Sequence, residues 1–131
     1  MDKQFIPYEQ ALELKELGFD EPCFGWFRTI DFKEYFLETE LDLDEEFSDL
    51  INSNFTGGAC SAPLYQQAFR WFRDKHNIYS YIQKFYYNRF DYVIIDEKND
   101  EEVDYNDSLF NTYEEAELAC LKKLIEIVKN K

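Results

Sequence analysis

Residues 62–77 read APLYQQAFRWFRDKHN. At 100° per residue, Leu64, Tyr65, Ala68, Phe69, Trp71 and Phe72 fall within one arc of roughly 160°, while Gln66, Gln67, Arg70, Arg73, Asp74 and Asn77 fill the rest. A helix with that many large side chains on one face must bury them, so this stretch is expected at the centre of the core. Pro63 suits a first helical turn, with Ser61 or Ala62 as the cap.

Towards the N-terminus, residues 52–61 (NSNFTGGACS) read as a loop by their Asn, Ser and Gly content. Residues 23–30 (CFGWFRTI) and 32–37 are aromatic and β-branched enough to form a hairpin. Residues 6–18 are expected to be a first helix, closed by Gly18 in a Schellman turn that lets Phe19 pack on Leu14. Between hairpin and loop, residues 38–49 carry seven acids and no base. Leu41, Leu43, Phe47, Leu50 and Ile51 allow a short helix there.

Towards the C-terminus, residues 78–87 and 90–96 read as two strands joined by a turn near Asn88–Arg89, the second containing the buried-strand run YVII. Residues 96–107 hold seven acids against Lys98 alone and read as a second acidic loop. Thr112 and Glu115 form a T-x-x-E capping box. The helix it opens buries Tyr113, Ala116, Cys120, Leu121, Leu124, Ile125, Ile127 and Val128, with Lys122, Lys123 and Lys129 near its C-terminal dipole. Glu117 sits inside that apolar arc, where a charge is costly unless paired. If this helix and the central one lie antiparallel, Glu117 meets Lys75 or His76; if its first turns overhang the sheet, Glu117 stays in water. Adjacent strand pairs interspersed with helices predict one α+β domain over residues 1–131: a small antiparallel sheet of two hairpins with about three helices packed on it.

The chain has 131 residues, 19% of them aromatic, including 13 Phe and 10 Tyr, which argues against disorder. Its formal charge of −14 works against binding phosphate backbones or anionic membranes and leaves basic proteins, cations or no partner at all, of which a protein with a basic surface is the expected one. The start, MDKQFIPYEQ, has no apolar signal region, and no apolar run has the length of a membrane span. Three widely spaced cysteines without a CxxC pattern fit free thiols in a reducing cytoplasm.

Chemical motifs are sparse. Cys60 precedes the central helix, whose N-terminus would lower its thiol pKa, but His76 closes the same helix roughly 20 Å away, too far to serve as its base. His76 itself reads as a residue packed on the core rim near the helix C-terminus. One histidine and no clustered cysteines give a zinc site no material, and no cofactor is expected. Asp42-x-Asp44-x-Glu46 begins like a calcium loop, yet Phe47 and Ser53 stand where a turn glycine and a bidentate glutamate are needed. The loop from Asp96 fails alike, with Lys98 and Glu101 at the third and sixth positions. Gly57–Gly58 lacks the lysine of a phosphate cradle. The aromatic run IYSYIQKFYYNRF could stack bases, but Lys84 and Arg89 are too few for an electrostatic groove. It reads instead as a strand with one packed face and one partly exposed tyrosine face, a candidate contact surface.

Three blocks, FIPYEQALELKELGFDEPCFG, SAPLYQQAFRWFRDKHN and YEEAELACLKKLIEIVK, resemble a group of small uncharacterised proteins encoded by phages, prophages and genomes of Bacteroidetes. The resemblance implies an intracellular protein of a bacterial host, carried on a mobile genetic element. The group has no established activity, so no site residue carries over.

The expected function is therefore a non-enzymatic protein-binding module. Its candidate contact residues are the acids Asp42, Asp44, Glu45, Glu46, Asp100, Glu101, Glu102 and Asp104, with Tyr79 and Tyr81. A sharper form is an inhibitor whose carboxylates occupy a basic nucleic-acid site of a host defence protein. The third alternative, an enzyme, lacks a nucleophile–base pair, a metal set or a cofactor fingerprint.

Overall fold

The computed structural model describes residues 4–30, 34–39, 59–96, 101–105 and 109–131. The architecture is α+β, with three α-helices among the described residues and antiparallel strands throughout. The chain divides into two compact units, Met1–Leu64 and Tyr65–Lys131. Each predicted hairpin belongs to a sheet of its own, widened in each case by a third strand.

In the first unit, helix α1 spans Tyr8–Glu16, later in starting than the sequence suggested. Ile6 precedes a proline, which disfavours helical geometry, and its N–H instead donates to the Pro63 carbonyl at 3.0 Å. The C-terminal stop forms as expected. Gly18 has φ +100°, its N–H reaches the Lys15 carbonyl, and the Phe19 N–H reaches the Leu14 carbonyl at 2.9 Å. Strand β1 (Gly25–Ile30) lies between β2 (Glu34–Thr39) and β3 (Ala59–Ala62). The hairpin register runs from Gly25 opposite Thr39 to Ile30 opposite Glu34. Strand β3 corrects the reading of residues 52–61 as a loop up to the helix. Its residues have little β preference, and the open edge of β1 decides their conformation. Buried residues here include Phe5, Leu14, Phe19, Trp26, Phe27 and Cys60, and the Tyr8 and Phe27 rings meet edge-on at 5.4 Å.

In the second unit, helix α2 spans Tyr65–His76, so Pro63 stands outside it rather than in its first turn. Its buried residues are Tyr65, Ala68, Trp71 and Phe72, while Arg70, Arg73 and Asp74 are exposed, as the wheel required. Asn77, at φ 56°, ends the helix in the left-handed conformation that asparagine tolerates. Strand β4 (Ile78–Phe85) then pairs with β5 (Arg89–Asp96), and β6 (Glu101–Tyr105) follows on the far side. Strand β6 corrects the reading of residues 96–107 as one acidic loop. The free side of β5 pairs the backbone of EEVDY despite its charge, with a register irregularity at Ile94/Ile95. Asp96 is likewise no solvated loop acid. It ends β5, is buried, and its carboxylate lies 3.2 Å from the Lys131 ammonium.

Helix α3 spans Tyr113–Lys129. The Thr112 hydroxyl caps it by accepting from the Glu115 N–H at 3.1 Å, and the Glu115 carboxylate reaches back to the Asn111 N–H at 3.3 Å, one residue beyond the expected partner. Ala116, Cys120, Leu121, Leu124 and Ile125 are its buried stripe. Helices α2 and α3 pack against each other and against β4, and α3 also packs on β5. The short helix expected of Leu41, Leu43, Phe47, Leu50 and Ile51 lies outside the described residues.

Candidate interaction surface

Strand β4 alternates. Ile78, Ser80 and Ile82 point to one face and are buried or half-buried; Tyr79, Tyr81, Gln83 and Phe85 point to the other and are exposed. Tyr79 retains 42% and Tyr81 53% of its accessible surface. The facing strand follows the helix-covered side with Tyr92 and Ile94, both buried. The tyrosine face read from the sequence is thus present on β4, with Tyr79 and Tyr81 brought onto it together.

The turn that follows extends this surface. Residues Tyr86–Asn88 form a single 3-10 turn, two residues earlier than the expected Asn88–Arg89 corner. Tyr86 is 87% and Tyr87 95% exposed. Tyr87 has φ 61° and ψ 32°, and Asn88 has φ 56°. Left-handed geometry is ordinary for Asn but an outlier for a bulky aromatic residue. The base of the hairpin tip is tied down: the Arg89 guanidinium donates to the Asn111 side-chain oxygen, and Phe90 exchanges both backbone hydrogen bonds with Phe110. The result is a braced hairpin whose tip presents two adjacent tyrosines, flanked by exposed Lys84 and Arg89. Sequence reasoning missed Tyr86 and Tyr87 because it placed them inside the strand.

The acidic half of the expected surface divides differently. Asp42, Asp44, Glu45, Glu46 and Asp100 lie outside the described residues, and so do the whole of the first calcium-like loop and Lys98 of the second. Glu101, Glu102 and Asp104 sit on β6, opposite Asp96, Ile95 and Ile94 respectively.

A second cluster surrounds Glu117. This half-buried carboxyl is pushed up to about 7 by burial and by the neighbouring Glu114. It in turn helps burial raise the phenols of Tyr65, to about 12, and of Tyr113. Burial likewise pushes the Cys120 thiol up to about 12, against a hydrogen bond from Ser80. Glu117 therefore pairs with neither Lys75 nor His76 and is only partly open to water. It lies beside Tyr65 at the start of α2, and Lys75, ten residues on, is roughly 15 Å along the helix. His76 packs its ring edge-on against Trp71 at 4.9 Å, the rim position expected of it. The cluster can exchange a proton near neutrality, while burial favours the protonated form of its thiol and phenols.

Cys60 needs a similar correction. It is buried in β3 rather than set before a helix N-terminus, and burial pushes its thiol up to about 11, with Lys15 pulling weakly the other way. Among the described residues no three His, Cys, Asp or Glu side chains are grouped to hold a metal ion, and no helix is long and apolar enough to cross a membrane. No protein-family model, curated protein or solved structure matches this chain.

Proposed function

We propose that this chain is a non-enzymatic protein-binding module of a bacterial phage or prophage, acting in the host cytoplasm on a partner with a basic surface. The observation that carries the reading is the braced hairpin tip, where Tyr86 and Tyr87 are almost wholly exposed and Tyr87 is held at φ 61°. An exposed ring in a strained backbone position adds nothing evident to folding, and such outliers concentrate where a contact is made. Tyrosine is also a residue type that dominates binding energy at protein interfaces. The acids of residues 38–49 and 97–107, 13 of the 28 in the chain, supply the charge that a basic partner would meet. The sharper form, an inhibitor that fills a basic nucleic-acid site of a defence protein, rests on that same concentration of carboxylates.

Affinity capture from host lysate tests the reading. The wild-type chain should retain one prey protein that the double variant Tyr86→Ser, Tyr87→Asn loses. Retention of the same prey by both would remove the hairpin from the interface. Tyr87→Asn alone should meanwhile raise the unfolding free energy by about 0.5–1 kcal/mol, since asparagine accepts the left-handed turn. A lower denaturation midpoint would show instead that the ring supports the fold.

Direct binding to DNA or RNA is not expected. At −14 overall, Lys84 and Arg89 cannot replace the counterions of a phosphate backbone. A mobility-shift titration at moderate salt should show no micromolar complex, and finding one would turn the tyrosine hairpin into a base-stacking platform.

A further inference from the structure

We propose that the outer edge of β4 pairs with β4 of a second copy of this chain, antiparallel about a two-fold axis at Ile82, so that two three-stranded sheets become one of six strands. The inference uses the strand's backbone and does not rest on the hetero-partner reading above. In the order β4-β5-β6, β4 is outermost, and all eight of its residues face β5, from Ile78 opposite Asp96 to Phe85 opposite Arg89. Among the described residues no other strand or backbone hydrogen bond engages Ile78–Phe85. An edge of that length offers a row of outward N–H and C=O groups to any extended chain.

The two edges of this sheet are treated differently. Strand β6 carries three acids in the five residues EEVDY, and its ladder is broken by the irregularity at Ile94/Ile95. Charge and bulging are the usual means of keeping an edge from pairing. Strand β4 reads IYSYIQKF, with no proline, no glycine and one charge, and its ladder is regular over the full length. The protected edge and the open one thus lie on opposite sides of one sheet.

Self-pairing is favoured by register, and no like charges face each other across the paired strands. Residues opposite each other share a face, so a continuous sheet requires partners of equal parity. With Ile82 on the axis, Tyr79 faces Phe85 of the second copy, Ser80 faces Lys84, and Tyr81 faces Gln83. Two aromatic cross-strand pairs form on the exposed face, and no like charges meet. The two Lys84 positions are separated by about 13 Å along the strands, beyond the roughly 8 Å screening length at physiological salt. The chain's negative charge is also sparse here. Residues 65–90 contain Arg70, Arg73, Lys75, Lys84 and Arg89 against the single acid Asp74.

Sedimentation equilibrium of the full chain at neutral pH and physiological salt tests this. We expect a monomer–dimer equilibrium with a dissociation constant of roughly micromolar order, as befits a small interface. Tyr81→Lys should weaken it at least tenfold while leaving unchanged the unfolding midpoint measured well below the dissociation constant, because Tyr81 is exposed and its charge would recur beside the axis. If that variant fails to fold, Gln83→Lys, also exposed, makes the same test. Hydrogen exchange should show alternate amides of Ile78–Phe85 gaining protection as concentration rises. A monomer at several hundred micromolar would overturn the proposal and leave the edge to a strand from some other protein. So would a dimer indifferent to both lysine variants, or protection gained away from β4.

Discussion

Phe72→Ala is expected to lower the unfolding free energy by about 3–5 kcal/mol, the largest effect of any substitution considered, through lost burial and a residual cavity. Phe72 has no accessible surface, and its ring meets that of Trp71 edge-on at 5.1 Å. It belongs to the helix that packs on both β4 and α3, so neither element can close over the missing ring without shifting the other. Arg70→Ala, on the exposed face two residues away, should change stability by no more than about 0.5 kcal/mol. Urea titrations of both variants check the pair. Equal losses would mean that α2 buries a different face.

Glu117→Gln should stabilise the protein, by an amount that depends on pH. The folded chain holds the Glu117 proton more tightly than the unfolded one, its pKa lying near 7 instead of the ordinary 4.5. Stability from this group is therefore complete below about pH 4.5 and is lost as pH rises through about 7. Full conversion of the shift would give about 3 kcal/mol, but the side chain keeps part of its contact with water, which reduces the expected loss to about 1–2 kcal/mol. The groups facing it are Glu114, Tyr65, Tyr113 and Cys120, none of them a cation. The glutamine variant should be more stable than wild type by that margin at pH 8, and the gap should close towards pH 4.5. A constant gap across the range would show that Glu117 titrates normally and that the gain has another origin.

Local signals in the sequence were sufficient wherever one element's own chemistry determined its form. The apolar arc of α2, the Thr112 cap of α3 and the Gly18–Phe19 stop of α1 each depend on residues within one turn of one another. The alternation that placed Tyr79 and Tyr81 on the exposed face of β4 is equally local. Strand β3 was illegible because ACSA is a strand only by virtue of β1 beside it. Strand β6 was hidden by charge: EEVDY reads as a solvated loop until the free side of β5 is known. Glu117 turned on which end of α2 lies next to it, a tertiary fact with no trace in spacing. At the hairpin tip propensity pointed the wrong way, since two consecutive tyrosines favour continuing a strand, yet the chain reverses through Tyr87 in a left-handed conformation. That conflict between local preference and observed backbone is the strongest pointer to the candidate surface, and it exists only once the structure is known.

Hydrogen exchange of the chain with and without its captured prey is the most direct test of the interaction surface. Protection should be gained at Tyr79–Arg89, strongest at Tyr86 and Tyr87. Protection confined to α1, β1 and β3, with the hairpin exchanging as in the free protein, would contradict it.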